Sequence, residues 1–166
     1  NFIFTILSKW ALTLILLPIS IIDYNFLWIP NSIIKIGIIF GFIISIISGF
    51  LKNQEIISNV FENLISAILG FLIIVLIMKF GELIFKKPAM GFGDAKLAGM
   101  LGLWLGFPGV IVSIWSSFLI AGLFIIFGLA SKKIIRNQLI PFGPFLSVTG
   151  FLVWIYGEDI FLKILF

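Results

Sequence analysis

The sequence contains no cysteine and no histidine. Their absence excludes zinc and iron centres of the usual kind, cysteine nucleophiles, disulfides and an imidazole base. No metal and no cofactor is expected. Charge is also scarce: 11% of the residues are Asp, Glu, Lys or Arg, and only Asp23, Asp94 and Asp159 are aspartates. No soluble domain, low-complexity linker or internal repeat interrupts the chain. No basic run is interleaved with aromatics, so nucleic acid is not an expected partner. The start at Asn1 leads straight into a long apolar run, without a basic n-region or a small-residue cleavage site. It is unlike a signal peptide and reads as a piece of a longer protein.

Apolar side chains fill the rest. Of 166 residues, 61% are hydrophobic, and the mean hydropathy is +1.29. Gaps between the charged clusters approach the ~20 apolar residues that cross a bilayer. The pattern predicts an all-α, polytopic transmembrane helical bundle forming one domain, 1–166, with about six spans. They are Phe2–Ile22 (interrupted by Lys9), Ile33–Leu51, Leu64–Phe80, a short fourth at Lys96–Phe107, Val110–Ala130 and Phe142–Tyr156. An apolar tail, Ile160–Phe166, follows. With these spans, Lys35, Lys79, Lys86, Lys87, Lys96, Lys132, Lys133 and Arg136 fall on one face, and Lys9, Lys52 and Lys163 on the other. The positive-inside rule makes the first face cytoplasmic. A re-entrant fourth segment would carry Lys132, Lys133 and Arg136 outside, so the charge bias favours a true crossing. The net charge of +4 suits anionic lipid headgroups.

Asp23 follows span one and Asp94 precedes span four, in "AMGFGDAKLAG" (89–99). Two crossings separate them, so both belong to one membrane face. A helix from Asp94 to Phe107 rises roughly 20 Å, whereas the hydrocarbon core is roughly 30 Å thick. A crossing segment therefore holds Asp94 below the surface, where an acid is a functional-site candidate by default. Gly91 and Gly93 would admit non-helical backbone and close approach of another chain at that depth. Two carboxylates in one low-dielectric site cannot both ionise easily, so the pair is expected to share a proton. One then activates water while the other, protonated, polarises a scissile carbonyl.

Three stretches resemble type IV prepilin peptidases, members of the GxGD class of intramembrane aspartyl proteases. They are "IDYNFLWIPN" (22–31), "AMGFGDAKLAGMLGLWLG" (89–106) and "IPFGPFLS" (140–147), the last two in the bacterial rather than the archaeal preflagellin form. The resemblance covers essentially the whole chain. It implies that Asp23 and Asp94 are the catalytic pair. It also implies that the substrates are type IV prepilins and pseudopilins, whose short basic leader is cut after a glycine at the cytoplasmic face of the bacterial inner membrane. Many members also methylate the new terminus with an N-terminal cytoplasmic region bearing a cysteine zinc site. This sequence shows no such region and no cysteine, so methylation is not assigned to it.

Each residue also has a plainer reading. Asp94 alone is a candidate N-cap for a helix opening at Ala95, and Asp23 alone a solvated acid after a helix. Gly91 and Gly93 fit an ordinary turn. Pro30 and Asn31 start span two, with Asn31 as cap. Lys96 either holds one acid ionised or snorkels, and Lys86 and Lys87 set topology. Glu82 either contacts a basic leader or is a solvated loop acid. Pro141, Gly143 and Pro144 either shape a substrate cleft or break the helix start. The phenylalanines and tryptophans are lipid-facing bulk and interfacial belt. The rival functions are another GxGD protease and, in a different class, a proton-coupled transporter using the two acids as relay groups. A transporter predicts midplane acids and inverted repeats, and neither is legible here. Oligomeric state is not legible.

Overall fold

The computed structural model of the chain describes residues 2–51, 55–86, 90–133 and 138–157. The expected tail, Asp159, Lys52, Lys87, Arg136 and Lys163 lie outside the described residues.

Five helices follow one another: α1 (Phe2–Phe26), α2 (Asn31–Leu51), α3 (Ile56–Phe85), α4 (Phe92–Ala130) and α5 (Gly143–Tyr156). The first four are long and apolar enough to cross a membrane. Each turns large apolar side chains outward, among them Leu14, Phe40, Ile57, Trp115 and Phe127. Those faces suit lipid, and a helix satisfies its own backbone there. The chain is thus an all-helical integral membrane protein.

Several boundaries differ from the sequence expectation. α1 runs on to Phe26, so Asp23 lies inside the helix rather than after it. No breaker occurs between Ile22 and Phe26, and the helix stops where Leu27 turns to a φ of 54°. α3 extends both ways beyond Leu64–Phe80, because the polar residues flanking that apolar run are themselves helix-compatible. The fourth and fifth expected spans form one element, α4, with its break at Gly106 instead of Pro108–Gly109. Gly106 has φ 71° and ψ −178°, a conformation open in practice only to glycine. Pro108 comes two residues after this break, near the start of the second segment, where a missing N–H costs nothing.

Two cavities, one at each end of the bundle, fix the path of the chain. One is lined by Asp23, Asn31, Met78, Gly81, Asp94, Phe118, Ala121 and Phe142. The other is lined by Lys9, Ser45, Asn63, Gly106 and Trp154. α1 therefore runs toward the first end, α2 away from it and α3 toward it. The first part of α4 runs away, the second part returns, and α5 runs away again. At 39 residues α4 would measure about 58 Å if straight, and Gly106 folds it back on itself.

The first segment of α4 is the hub. Ala95, Leu97, Ala98, Met100 and Leu101 are fully buried, and α4 packs on α2, α3 and α5. Small residues set the spacing. A β-carbon on Gly102 would lie 2.5 Å from the Ser66 carbonyl oxygen, and one on Gly70 2.9 Å from that of Ala98. Such backbone approach is the usual source of helix–helix packing energy in lipid. Trp104 adds a buried hydrogen bond from its indole Nε1 to the Gly37 carbonyl, 2.9 Å long.

Candidate active site

The first cavity is a cleft of about 840 Å³ formed by the ends of α1 and α3, the start of α4, its returning segment and the approach to α5. Asp23 and Asp94 both line it, and each is 6% exposed. Helix direction places them: Asp23 sits about one turn before the end of α1, and Asp94 in the first turn of α4.

Each carboxylate is held by a backbone N–H. Gly91 is the N-cap of α4, and its N–H donates to Asp94 Oδ2 at 3.2 Å. Asp94 is therefore not the N-cap. It is the third helical residue and closes half of a capping box. Its Oδ1 is buried and has no hydrogen-bond partner among the described residues. The N–H of Gly143 donates to Asp23 Oδ2 at 2.9 Å across 120 positions of sequence.

The two motif glycines differ from each other. Gly93 is helical, so no non-helical backbone enters at that point. Gly91 has ordinary extended backbone, φ −84° and ψ 146°. Gly93 and Gly143 are places of close approach. A β-carbon on Gly93 would stand 3.0 Å from Ile29 Cβ, and one on Gly143 3.2 Å from Ile29 Cδ1 and 2.6 Å from Asp23 Oδ2. Ile29, 5% exposed, is thus wedged between the two glycines and ties the three motif stretches together. Nothing in the sequence singles out Ile29, since one isoleucine among many carries no pattern.

Lys96 lines the cleft, and its ammonium donates to Asn31 Oδ1 at 2.7 Å. Among the described residues it pairs with neither aspartate. Asn31 is the first residue of α2 rather than its cap, and the Pro30 carbonyl accepts the N–H of Ile34. Its side chain is left to receive Lys96. Pro141 lines the cleft, whereas Pro144 is the second residue of α5 and does not. Glu82 is exposed and outside the lining. Among the described residues no three His, Cys, Asp or Glu converge as metal ligands.

Fold and cleft together define a lipid-embedded helical bundle that gathers two buried carboxylates at one end. Within that class the chain belongs to the type IV leader peptidase family, whose model matches residues 10–126. That stretch includes Asp23 and Asp94 and ends before Gly143. Similar proteins include a prepilin leader peptidase/N-methyltransferase of Aeromonas salmonicida (strain A449), 25% identical over 154 residues, which are 93% of this chain and 50% of that protein. One of the same description from Pseudomonas aeruginosa is 28% identical over 155 residues, again 93% and 50%. One from Xanthomonas campestris pv. campestris is 38% identical over 74 residues, 45% of this chain and 26% of that protein. The chain thus spans about half the length of the first two. No solved structure matches.

Proposed function

We propose that the chain is a membrane-embedded aspartic endopeptidase that removes the basic leader from type IV prepilins or pseudopilins. The observation that carries this reading is the single cleft into which α1 and α4 deliver Asp23 and Asp94, each oriented by a backbone N–H. Family membership supplies the substrate class.

The chemistry follows from the pair. A water between the carboxylates loses a proton to the ionised one as its oxygen attacks the scissile carbonyl carbon. The protonated partner hydrogen-bonds the carbonyl oxygen and gives it its proton as charge develops there. The tetrahedral intermediate then collapses. The C–N bond breaks, the amine leaves with a proton returned by the carboxylate that took one from water, and the partner carboxylate takes back the hydroxyl proton as the carbonyl re-forms. Neither step calls on imidazole, thiol or metal.

Among the described residues the cleft end carries most of the lysines. Lys79, Lys86, Lys96, Lys132 and Lys133 lie at or near it, and Lys9 lies at the other end. That asymmetry supports a cytoplasmic cleft in the bacterial inner membrane and six crossings, with α4 making two. The N-methyltransferase part of the relatives' description is not carried over to this chain.

The test is leader cleavage in reconstituted vesicles. Asp23→Asn and Asp94→Asn should each abolish cleavage, while both proteins insert and purify as the parent does. Appreciable turnover by either variant would remove that residue from the pair, and a parent chain that cleaves no leader would reject the reading.

A further inference from the structure

The second cavity, about 490 Å³, lies at the end of the bundle opposite the carboxylates. The end of α2, the start of α3, the reversal at Gly106 and the end of α5 all occur at its level, since Leu51, Asn59, Gly106 and Gly157 line it. In a chain whose helices match a bilayer, this level is that of the headgroups. The floor is polar: Ser8, Ser45, Ser48, Asn59 and Asn63 face it from three helices. The rim includes Phe4 and the exposed Leu51, so apolar and polar walls adjoin.

Among the described residues Lys9 is the only charged one lining this cavity. It lies about two turns into α1 from Phe2 and forms no ion pair with a described carboxylate. Its ammonium donates one long bond, 3.4 Å, to the Ile155 carbonyl near the end of α5. Capping α5 in this way uses one of three N–H donors. Two turns inside the headgroup level and paired with no described carboxylate, this charge is costly and marks a polar path or ligand.

We infer that this cavity binds the phosphate of an anionic phospholipid from the leaflet opposite the cleft, with Lys9 supplying the charge and the apolar rim receiving the acyl chains. Ser8, Ser48 and Asn59 already donate within the bundle, so among the described residues the Ser45 hydroxyl and the second amide N–H of Asn63 are the floor groups that meet phosphate and glycerol oxygens. The adjoining apolar rim distinguishes a lipid from free phosphate, which has nothing to place there. The site is separate from the carboxylate cleft and does not rest on the peptidase reading.

The test uses the full chain, delipidated in detergent, with tryptophan fluorescence and thermal unfolding as readouts. Trp104 and Trp154 both line the cavity. Phosphatidylglycerol should shift both signals saturably in the parent. Phosphatidylcholine, which carries a phosphate but no net charge, should bind more weakly, and inorganic phosphate should produce no shift at equal concentration. Lys9→Gln should weaken phosphatidylglycerol binding about fivefold, the worth of one basic side chain against an anionic lipid. Lys9→Arg should retain it. Equal responses of the parent to phosphatidylglycerol and phosphatidylcholine, or an unchanged phosphatidylglycerol affinity in Lys9→Gln, would overturn the inference. A full response to inorganic phosphate would replace the lipid with a soluble anion. The parent comparison stands even where Lys9→Gln fails to fold.

Discussion

Gly143 reaches Asp23 with its backbone N–H, and the space beside that contact is already full. A β-carbon there would lie 2.6 Å from Asp23 Oδ2 and 3.0 Å from Cγ. Gly143→Ala therefore has to push the carboxylate aside. Misplacing a reacting group by about 1 Å costs roughly a hundredfold in rate, so kcat for leader cleavage should fall on that order with little change in KM. A KM effect alone would make Gly143 a substrate contact. The same chemistry sets the pH dependence. In the proposed mechanism one carboxylate is ionised and the other protonated, so kcat/KM should be bell-shaped. Lowering the pH protonates the base, and raising it removes the shared proton. Lys96 is held by Asn31 and not by an aspartate, so Lys96→Gln should leave both limbs in place. Movement of the alkaline limb to higher pH would show that its charge acts on the pair. At this scale the sequence made Asp23 and Asp94 legible, because acids are rare in an apolar chain. It concealed the hydrogen bond from Gly143, which depends on the route of α5, and the wedge of Ile29.

Among the elements, α4 shows how a single dihedral decides a helix pair. Gly106 at φ 71° and ψ −178° lets the chain fold back within one residue. An alanine there is strained by about 1–3 kcal/mol. Gly106→Ala should lower the unfolding midpoint in detergent accordingly. Gly122 provides the contrast: it is helical, and a β-carbon would meet nothing within 4 Å. Gly122→Ala should be neutral or stabilising by up to about 1 kcal/mol. Equal losses in the two variants would mean that the backbone at Gly106 is not strained. The expected break at Pro108–Gly109 missed by two residues because proline is the conspicuous breaker in sequence, yet it tolerates a helix start. Hydropathy located the apolar core of each helix and misjudged the ends of α1 and α3, since helix formation continues past the apolar run wherever no breaker stops it.

For the molecule as a whole, the alternation of helix direction places Lys86 and Lys132 at the cleft end and Asn59 at the other. The chain has no cysteine to remove before labelling. Single cysteines at positions 86 and 132 should react with an impermeant reagent only from the cytoplasmic side, and one at 59 only from outside. Reaction of position 132 from outside would contradict two crossings by α4. Composition and charge spacing alone determined that the chain is a helical membrane protein and which two acids share a face, because bilayer thickness converts apolar length into span count. Tertiary structure decided the rest. How deeply each carboxylate is buried, which backbone N–H holds it, that Lys96 turns to Asn31, and that a second polar cavity surrounds Lys9 all depend on side-chain contacts between helices, which no one-dimensional pattern encodes.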